Sequence, residues 1–167
     1  MSSQDSKDRI IRRYIRFGDR QVKMSASIND QIKAQEEKLR NLDKSDISEN
    51  SDYDDVVSRL QTLYYNSSKY KYWARYYVKF REQLLKKLED DYTVAKNDSI
   101  ITAGSVVKVR NEASSYELLI VPAHLGNKVM MALGVDSKLG EALLSKKAGD
   151  EVTLKLRNIT YKIEEVY

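Results

Sequence analysis

The chain has 167 residues, 41% of them hydrophobic and 32% charged, which suits a soluble protein of one ordinary domain or two small ones. It contains no cysteine, which excludes disulfides, Cys-ligated zinc and a thiol nucleophile, and is compatible with a reducing cytoplasm. A net charge of +4 gives mild support for a polyanionic partner. The sequence shows neither the apolar segment of a signal peptide nor the roughly 20 apolar residues of a membrane span. We therefore expect a cytoplasmic protein.

Helix-forming residues dominate the first half of the chain. From about Ser6 to Asp91 there is no proline and only one glycine, Gly18. Apolar residues at steps of three or four predict an amphipathic helix over residues 20–43, with Gly18 marking a break before it. A second stripe, after a polar connection, consists of Tyr53, Val56, Leu60, Leu63, Tyr70, Trp73, Tyr77, Phe80, Leu84 and Leu88. Two such helices are predicted to pack antiparallel as a coiled-coil hairpin.

The second half of the chain alternates between apolar and polar residues in short runs, a pattern that predicts strands of an antiparallel sheet. The predicted strands cover residues 105–110, 116–121, 128–132, 151–156 and 159–163. A helical pattern over residues 138–146 lies between the third strand and the fourth. The predicted fold class is therefore α+β, with a helical hairpin over residues 1–95 and a small sheet domain over residues 96–167.

Two carboxylates, Asp46 and Glu49, lie three residues apart in the polar connection that would form the tip of the hairpin. Magnesium prefers oxygen ligands in octahedral geometry, and two carboxylates supply only part of such a shell. The alternative is helix capping, in which Asp46 or Ser48 caps the second helix and Glu49 or Ser51 completes a capping-box-like turn. The spacing by itself favours capping.

Two motifs resemble those of one known family. The segment Ser45-Asp-Ile-Ser-Glu-Asn-Ser-Asp-Tyr53 is similar to the tip motif G-D-L-x-E-N-A-E-Y of the bacterial Gre transcript-cleavage factors. The segment from Asp136 to Val152, DSKLGEALLSKKAGDEV, resembles D-S-P-x-x-x-A-L-L-x-K-x-x-G-D-E in the GreB branch. This resemblance implies a coiled-coil N-terminal domain and an FKBP-like C-terminal domain without prolyl isomerase activity.

The resemblance also implies a function. In such factors the C-terminal domain docks on bacterial RNA polymerase and the hairpin enters its secondary channel. Asp46 and Glu49 match the acidic residues that hold a shared Mg²⁺ with the polymerase and orient water when backtracked RNA is hydrolysed. The protein would then be an activator and not an enzyme alone, and we expect a monomer with no membrane partner. The remaining tip residues in the motif are Ser48, Asn50 and Tyr53.

The sequence departs from the family pattern at three places. Ser45 stands where the family usually has Gly, and Lys138 stands in place of Pro in the predicted docking motif Asp136-Ser137-Lys138. Further acids surround the tip, namely Asp43, Asp52, Asp54 and Asp55. Because some family relatives with extra tip acids inhibit the polymerase, an inhibitor of the same channel is the second hypothesis. A third is an interaction module without metal chemistry.

Basic and aromatic residues alternate along the second helix, a pattern that suits single-stranded RNA. Lys71, Arg75 and Lys79 are the candidates for contact with the 3′ end of the nascent RNA. The alternative is that the aromatic residues form the hairpin seam and the basic residues its solvated face. His124, the only histidine, has no second histidine or cysteine with which to share a metal, so we expect a structural or surface role.

Overall fold

The computed structural model describes residues 3–42, 51–89 and 99–167. Two long helices come first, α1 over Ser3–Asn41 and α2 over Ser51–Glu89. In the described residues after α2, the chain forms a domain of five strands and one short helix. Its elements are β1 Val106–Arg110, β2 Ser115–Val121, β3 Ala132–Gly134, α3 Lys138–Leu143, β4 Glu151–Leu154 and β5 Ile159–Val166. The predicted order of a helical pair and a small α+β domain is confirmed.

The first helix begins earlier than predicted and passes through Gly18 without interruption. The predicted break at this residue is therefore wrong. Glycine inside a helix costs only about 1 kcal/mol relative to alanine, and apolar residues at helical spacing continue on its N-terminal side. Ile11, Tyr14 and Ile15 are all buried there, so packing outweighs the low helix propensity of Gly18.

The chain forms two compact units. One contains Met1–Phe17 together with Tyr76–Tyr167, and the other contains Gly18–Arg75. The bases of both helices thus belong to the same unit as the sheet. The predicted domain boundary between residues 95 and 96, which follows the change in sequence pattern, remains a prediction.

The unit Gly18–Arg75 is an antiparallel pair of helical segments. Ile32 of α1 is buried with Val56 and Leu60 of α2, and the half-buried residues around them are Ile28, Leu39, Leu42 and Leu63. The hydroxyl of Ser67 donates a 3.1 Å hydrogen bond to Oδ1 of Asn29. The hydroxyl of Tyr64 donates to Glu36. As residue numbers rise along α1 they fall along α2, so the predicted hairpin pairing is confirmed in this unit.

In the other unit, the helix bases pack around aromatic side chains. Tyr14 and Tyr77 are fully buried, with their ring centroids 6.2 Å apart, and Phe80 meets Tyr14 edge to face at 6.3 Å. The hydroxyl of Tyr77 donates a 2.8 Å hydrogen bond to the carbonyl oxygen of Ile15. Buried aromatic rings contribute a large apolar area, and their polar ends need such partners. The contact fixes α1 against α2 at this end.

The sheet has the strand order β3-β2-β1-β5-β4. Neighbouring strands are antiparallel except β2 and β3, which are parallel. The predicted strand over 128–132 is wrong, because Asn127 and Ala132 exchange backbone hydrogen bonds at 2.8 and 3.0 Å and close a turn. The side chain of Asn127 also accepts from the backbone of Met130 at 3.1 Å. Asn favours such local bonds over strand pairing.

Two further elements are shorter than predicted. The helix α3 ends at Leu143, where the prediction extended it to residue 146, and Ser145 adopts a left-handed φ of 63°. The strand β4 ends at Leu154, and Asn158 turns the chain toward β5 with φ of 48°. Left-handed residues stop both helices and strands. Apolar alternation continues through these positions, which is why periodicity alone overestimated both lengths.

The core of the sheet domain lies between the strands and α3. Its buried residues are Ile101, Val107, Val109, Ile120, Leu143, Val152, Ile163 and Val166. The alternate positions of β1, including Lys108 and Arg110, point to the opposite face of the sheet. The opposite face therefore carries charged residues together with buried apolar ones, such as Val106 and Leu119.

Candidate functional site

The tip motif Ser45–Tyr53 begins after the end of α1 at Asn41 and runs into α2, which starts at Ser51. Asp46, Ser48, Glu49 and Asn50 lie outside the described residues. Their assignment to metal binding stays a prediction from sequence. Tyr53, the last residue of the motif, is half-buried in the first turns of α2.

Further acids line the first turns of α2, where the helix dipole favours negative charge. Asp52, Asp54 and Asp55 are all exposed there. In residues 3–42, 51–89 and 99–167, no group of three or more His, Cys, Asp or Glu side chains is placed to hold a metal ion. The described part of the chain therefore offers no complete metal site of its own.

The motif Asp136-Ser137-Lys138 lies at the junction of β3 and α3. Oδ2 of Asp136 accepts a 3.1 Å hydrogen bond from the backbone N–H of His124 and lies 3.5 Å from Nδ1 of the same residue. His124 has a left-handed φ of 67°, and its side chain is 60% exposed. Asp136 thus ties the loop that follows β2 to the segment that follows β3. This connection fixes the shape of the surface on which the motif is displayed.

Ser137 is the N-cap of α3. Its hydroxyl accepts from the backbone N–H of Gly140 at 3.1 Å and donates to the carbonyl oxygen of Gly134 at 2.7 Å. A Cβ on Gly140 would lie 2.1 Å from the carbonyl oxygen of Gly134, so only glycine allows the helix to start this close to β3. The cap and the close approach together determine where α3 begins.

Lys138 is the first residue of α3 and is exposed. Proline is favoured at this position in helices, because the first N–H has no partner within the helix. Ser137 has φ of −83° and ψ of 152°, the extended conformation that a following proline also requires. Lysine in place of the family's proline is therefore compatible with the same backbone, and it adds an exposed positive charge.

The basic residues predicted to contact RNA are exposed on α2. Lys71 and Arg75 lie one helical turn apart in the unit Gly18–Arg75, and Lys79 belongs to the other unit. The aromatic residues among them divide between two environments. Tyr77 and Phe80 are buried in the seam, whereas the side chains of Tyr72 and Tyr76 are 51% and 44% exposed. Exposed rings and cations thus share the solvent side of this helix, and the buried rings account for the seam.

One buried lysine, Lys7, and one half-buried lysine, Lys87, lie where the helix bases meet the sheet domain. The sequence pattern did not predict their burial. Lys7 is only 3% exposed, and burial lowers its pKa. Burial also lowers the pKa of Lys87, and the positive charge of Lys7 adds to this effect. A Cβ built on Gly104 would lie 3.5 Å from the Lys87 side chain, so the Lys87 side chain packs against the backbone at Gly104. Both lysines lie on apolar-looking helix faces, so only the fold shows their proximity.

Residues 96–167 match the family described as transcription elongation factor GreA/GreB, C-terminal domain. The match identifies residues 96–167 as a Gre-type C-terminal domain. The matched region contains the motif Asp136-Ser137-Lys138 but neither the tip motif nor the basic residues of α2. Closeness to the GreB branch remains a prediction.

Among solved structures, the chain is similar to GreA factor homolog 1 (Gfh1) of Thermus thermophilus, with 18% identity and a TM-score of 0.38 over 90% of this chain and 94% of that one. It is also similar to a GreA/GreB elongation factor from Nitrosomonas europaea, with 22% identity and a TM-score of 0.35 over 51% of this chain and 88% of that one. Both TM-scores are below 0.5, so only the match of residues 96–167 supports an assignment, and it applies to that domain. No curated protein matches the chain.

No helix in the described part of the chain is both long and apolar enough to cross a bilayer.

Proposed function

We propose that this protein is a Gre factor, which binds bacterial RNA polymerase and stimulates the polymerase's own hydrolysis of backtracked nascent RNA. The observation that carries the proposal is the family match over residues 96–167, which contains the predicted docking motif. The antiparallel helical pair supports it, because a narrow rod suits entry into the secondary channel of the enzyme. On this view the protein rescues arrested elongation complexes.

Docking is assigned to the surface that carries Asp136, Ser137 and Lys138. Internal hydrogen bonds hold the backbone of this motif, while the Asp136 side chain remains 43% exposed and Lys138 is exposed. A preformed surface loses little conformational entropy on binding. The exposed carboxylate and ammonium groups would then set the charge that a polymerase surface must complement.

Cleavage is assigned to Asp46 and Glu49 at the tip. Their carboxylates are the hard oxygen ligands that Mg²⁺ prefers, and two of them leave most of an octahedral shell to be filled by the polymerase and water. When bound, Mg²⁺ stabilises the charge that develops on the attacking and leaving oxygens of the phosphodiester. The role of this chain is to deliver the carboxylates and to orient water beside the RNA. The chain alone is therefore not expected to cut RNA.

The exposed cations on α2 are assigned to the RNA. Lys71, Arg75 and Lys79 would neutralise phosphates near the RNA 3′ end, and the exposed ring of Tyr72 offers a stacking surface beside them. These contacts would hold the extruded RNA without reading its sequence. Each cation contributes to affinity in a way that depends on salt concentration.

A stalled, backtracked elongation complex with end-labelled RNA provides the direct test. Addition of the protein with Mg²⁺ should shorten the transcript, release a short 3′ fragment and restore elongation when nucleotides are supplied. The protein incubated with the same RNA but without polymerase should leave it intact. An unshortened transcript, under conditions where binding to the complex is demonstrated, would contradict the proposal.

The second candidate is an inhibitor that occupies the same channel. The observation that favours it is the cluster of exposed acids at the start of α2, namely Asp52, Asp54 and Asp55. Additional negative charge close to the catalytic metal would compete with substrate for that metal. An inhibitor would slow nucleotide addition in the same assay and leave the RNA length unchanged.

A further inference from the structure

A cleft of about 560 Å³ lies between the first turns of α1 and the sheet face that carries Lys108 and Glu117. It is within one compact unit, because α1 up to Phe17 and the whole sheet domain cluster together. Its walls are formed by Arg9, Ile10, Arg13, Lys108, Glu117 and Met131. Small-molecule sites are commonly concave surfaces of this size.

Two arginines give the cleft its charge. Arg9 and Arg13 are exposed and one helical turn apart, so their side chains are neighbours on one face of α1. Nη2 of Arg13 donates one long hydrogen bond, 3.4 Å, to the carbonyl oxygen of Val129, while Arg9 has no hydrogen bond or ion pair within the three described ranges. Each guanidinium has five N–H donors. Most of these donors face solvent and remain available to an anion.

The other charged residues of the cleft already have partners. Nζ of Lys108 lies 3.3 Å from Glu165 and 3.5 Å from Glu164, and the contact with Glu165 raises the pKa of Lys108. The carboxylate of Glu117 accepts a hydrogen bond from the hydroxyl of Ser6. A carboxylate has about four acceptor positions, so Glu117 can also accept hydrogen bonds from hydroxyl groups of a ligand. It would repel a second carboxylate.

Part of the cleft wall, next to Arg13, is apolar. Ile10 and Met131 line it, and Val129 beside it is 71% exposed. Met131 has a left-handed φ of 52°, a conformation that residues with a long side chain rarely adopt. Such backbone conformations concentrate at ligand-binding sites. The thioether side chain of methionine is flexible and polarizable, and it packs well against flat rings.

We propose that this cleft binds a nucleoside phosphate. Arg9 and Arg13 bind the phosphate oxygens, since guanidinium groups match phosphate geometry. Glu117 and Ser115, which also lines the cleft, meet the ribose hydroxyls, and Ile10 and Met131 cover the base. An acidic peptide satisfies the arginines equally well but places its carboxylates near Glu117, so the residues of the cleft favour the nucleotide. The site is distinct from the tip and from the docking motif.

Methyl-labelled methionine in the full-length protein provides a local probe. The chain has four methionines, and Met131 lines the cleft whereas Met24 lies in the other compact unit. Titration with ATP, without Mg²⁺, should shift the methyl resonance of Met131 and leave that of Met24 unchanged. Tripolyphosphate should bind more weakly than ATP, because it offers no base to the apolar wall. Adenosine alone should bind more weakly still.

The double variant Arg9→Glu/Arg13→Glu should lower ATP affinity by at least about tenfold, as expected for the loss of charge-assisted hydrogen bonds. Arg16→Glu/Arg20→Glu is the matched control, because both residues are exposed on α1 outside the cleft and the net charge changes equally. Circular dichroism verifies folding, and Arg9→Gln/Arg13→Gln replaces the charge reversal if that variant does not fold.

Three results would overturn the proposal. The first is a Met131 resonance that does not move at saturating ATP, or that moves equally in the cleft variant and in the wild type. The second is equal affinity for ATP and tripolyphosphate, which would remove the nucleoside from the ligand class. The third is a shift caused by penta-glutamate and not by ATP, which would make the cleft a site for an acidic peptide.

Discussion

The hydroxyl of Tyr14 donates a 2.9 Å hydrogen bond to the carbonyl oxygen of Leu125, and both residues are fully buried. Tyr14 lies in α1, and Leu125 lies in the loop that follows β2, 111 residues later. A single buried side chain therefore joins the base of the first helix to the loop next to His124 and Asp136. The same burial raises the pKa of Tyr14, since the charged phenolate would be poorly solvated there.

Replacement of Tyr14 by Phe should remove this hydrogen bond and leave the Leu125 carbonyl oxygen buried without a partner. The expected loss in free energy of unfolding is about 1–3 kcal/mol. Urea denaturation measures it, and Tyr65→Phe is the control because Tyr65 is 71% exposed. Equal stability of the Tyr14 variant and the control would mean that the contact contributes nothing measurable.

A second prediction concerns the start of α3. Ser137→Ala removes the cap and should lower the free energy of unfolding by about 1 kcal/mol. Lys138→Pro should change it by less than about 0.5 kcal/mol, because the Lys138 N–H makes no hydrogen bond within the described residues and Ser137 is already extended. Thermal unfolding monitored by circular dichroism measures both. A large loss in the free energy of unfolding of Lys138→Pro would show that the backbone at the start of α3 does not accept the proline of the family pattern.

The order of the elements was predictable from the sequence, because each depends on local periodicity. The stripe through Leu60 and Leu84 has helical spacing, and both side chains are buried as expected. The errors occurred where non-local contacts or turn chemistry outweigh periodicity. The helix continues through Gly18 because residues on the same helix, such as Tyr14, pack against distant residues. Asn127 closes a turn where apolar residues suggested a strand.

The candidate sites also differ in how far they could be predicted from the sequence. The docking motif was recognisable because Asp136, Ser137 and Lys138 are adjacent in sequence. The cleft of Arg9 and Met131 was not, because more than a hundred residues separate its walls. No periodic pattern brings two such residues together. The hydrogen bond between His124 and Asp136 also depends on a left-handed backbone that sequence does not indicate.

The buried Lys7 gives a prediction about pH. Its folded-state pKa is lowered, so the unfolded chain binds more protons and stability should rise as pH increases toward the unfolded-state pKa of about 10.4. Lys7→Met should therefore increase the free energy of unfolding at pH 7 and reduce its rise between pH 7 and 10. Urea denaturation across this range tests both effects, with the exposed Lys23→Met as control. A steeper rise in the variant would contradict the assignment.

The basic residues of α2 give a prediction about salt. Replacement of Lys71, Arg75 and Lys79 together by Ala should weaken crosslinking to extruded RNA in the backtracked complex. Each lost phosphate contact should reduce the slope of log affinity against log salt by about 0.7. The control replaces Lys23, Lys33 and Lys38, which are equally exposed but lie on α1. If the slope of log affinity against log salt falls equally in both triple variants, the effect reflects net charge. The three α2 residues then form only a solvated face.

The last prediction separates metal binding from helix capping at the tip. Asp46→Asn and Glu49→Gln keep side-chain size but remove the charge on which Mg²⁺ coordination depends. If the carboxylates complete a metal site, each variant should lower stimulated cleavage by a large factor, with about tenfold for every 1.4 kcal/mol of lost transition-state stabilisation. Asparagine caps helices about as well as aspartate, so capping alone predicts full activity for Asp46→Asn.

Polymerase affinity should be unchanged in both tip variants, because docking is assigned to the C-terminal domain. Single-turnover cleavage at saturating protein therefore isolates the chemical step, and a binding assay on the same complexes confirms saturation. The control Asp52→Asn removes an exposed charge from the first turn of α2 and should retain most of the stimulation. If the tip carries an inhibitor instead, Asp46→Asn and Glu49→Gln will relieve a block on nucleotide addition. Full stimulation of cleavage by the double variant Asp46→Asn/Glu49→Gln would show that Asp46 and Glu49 have no role in the chemistry.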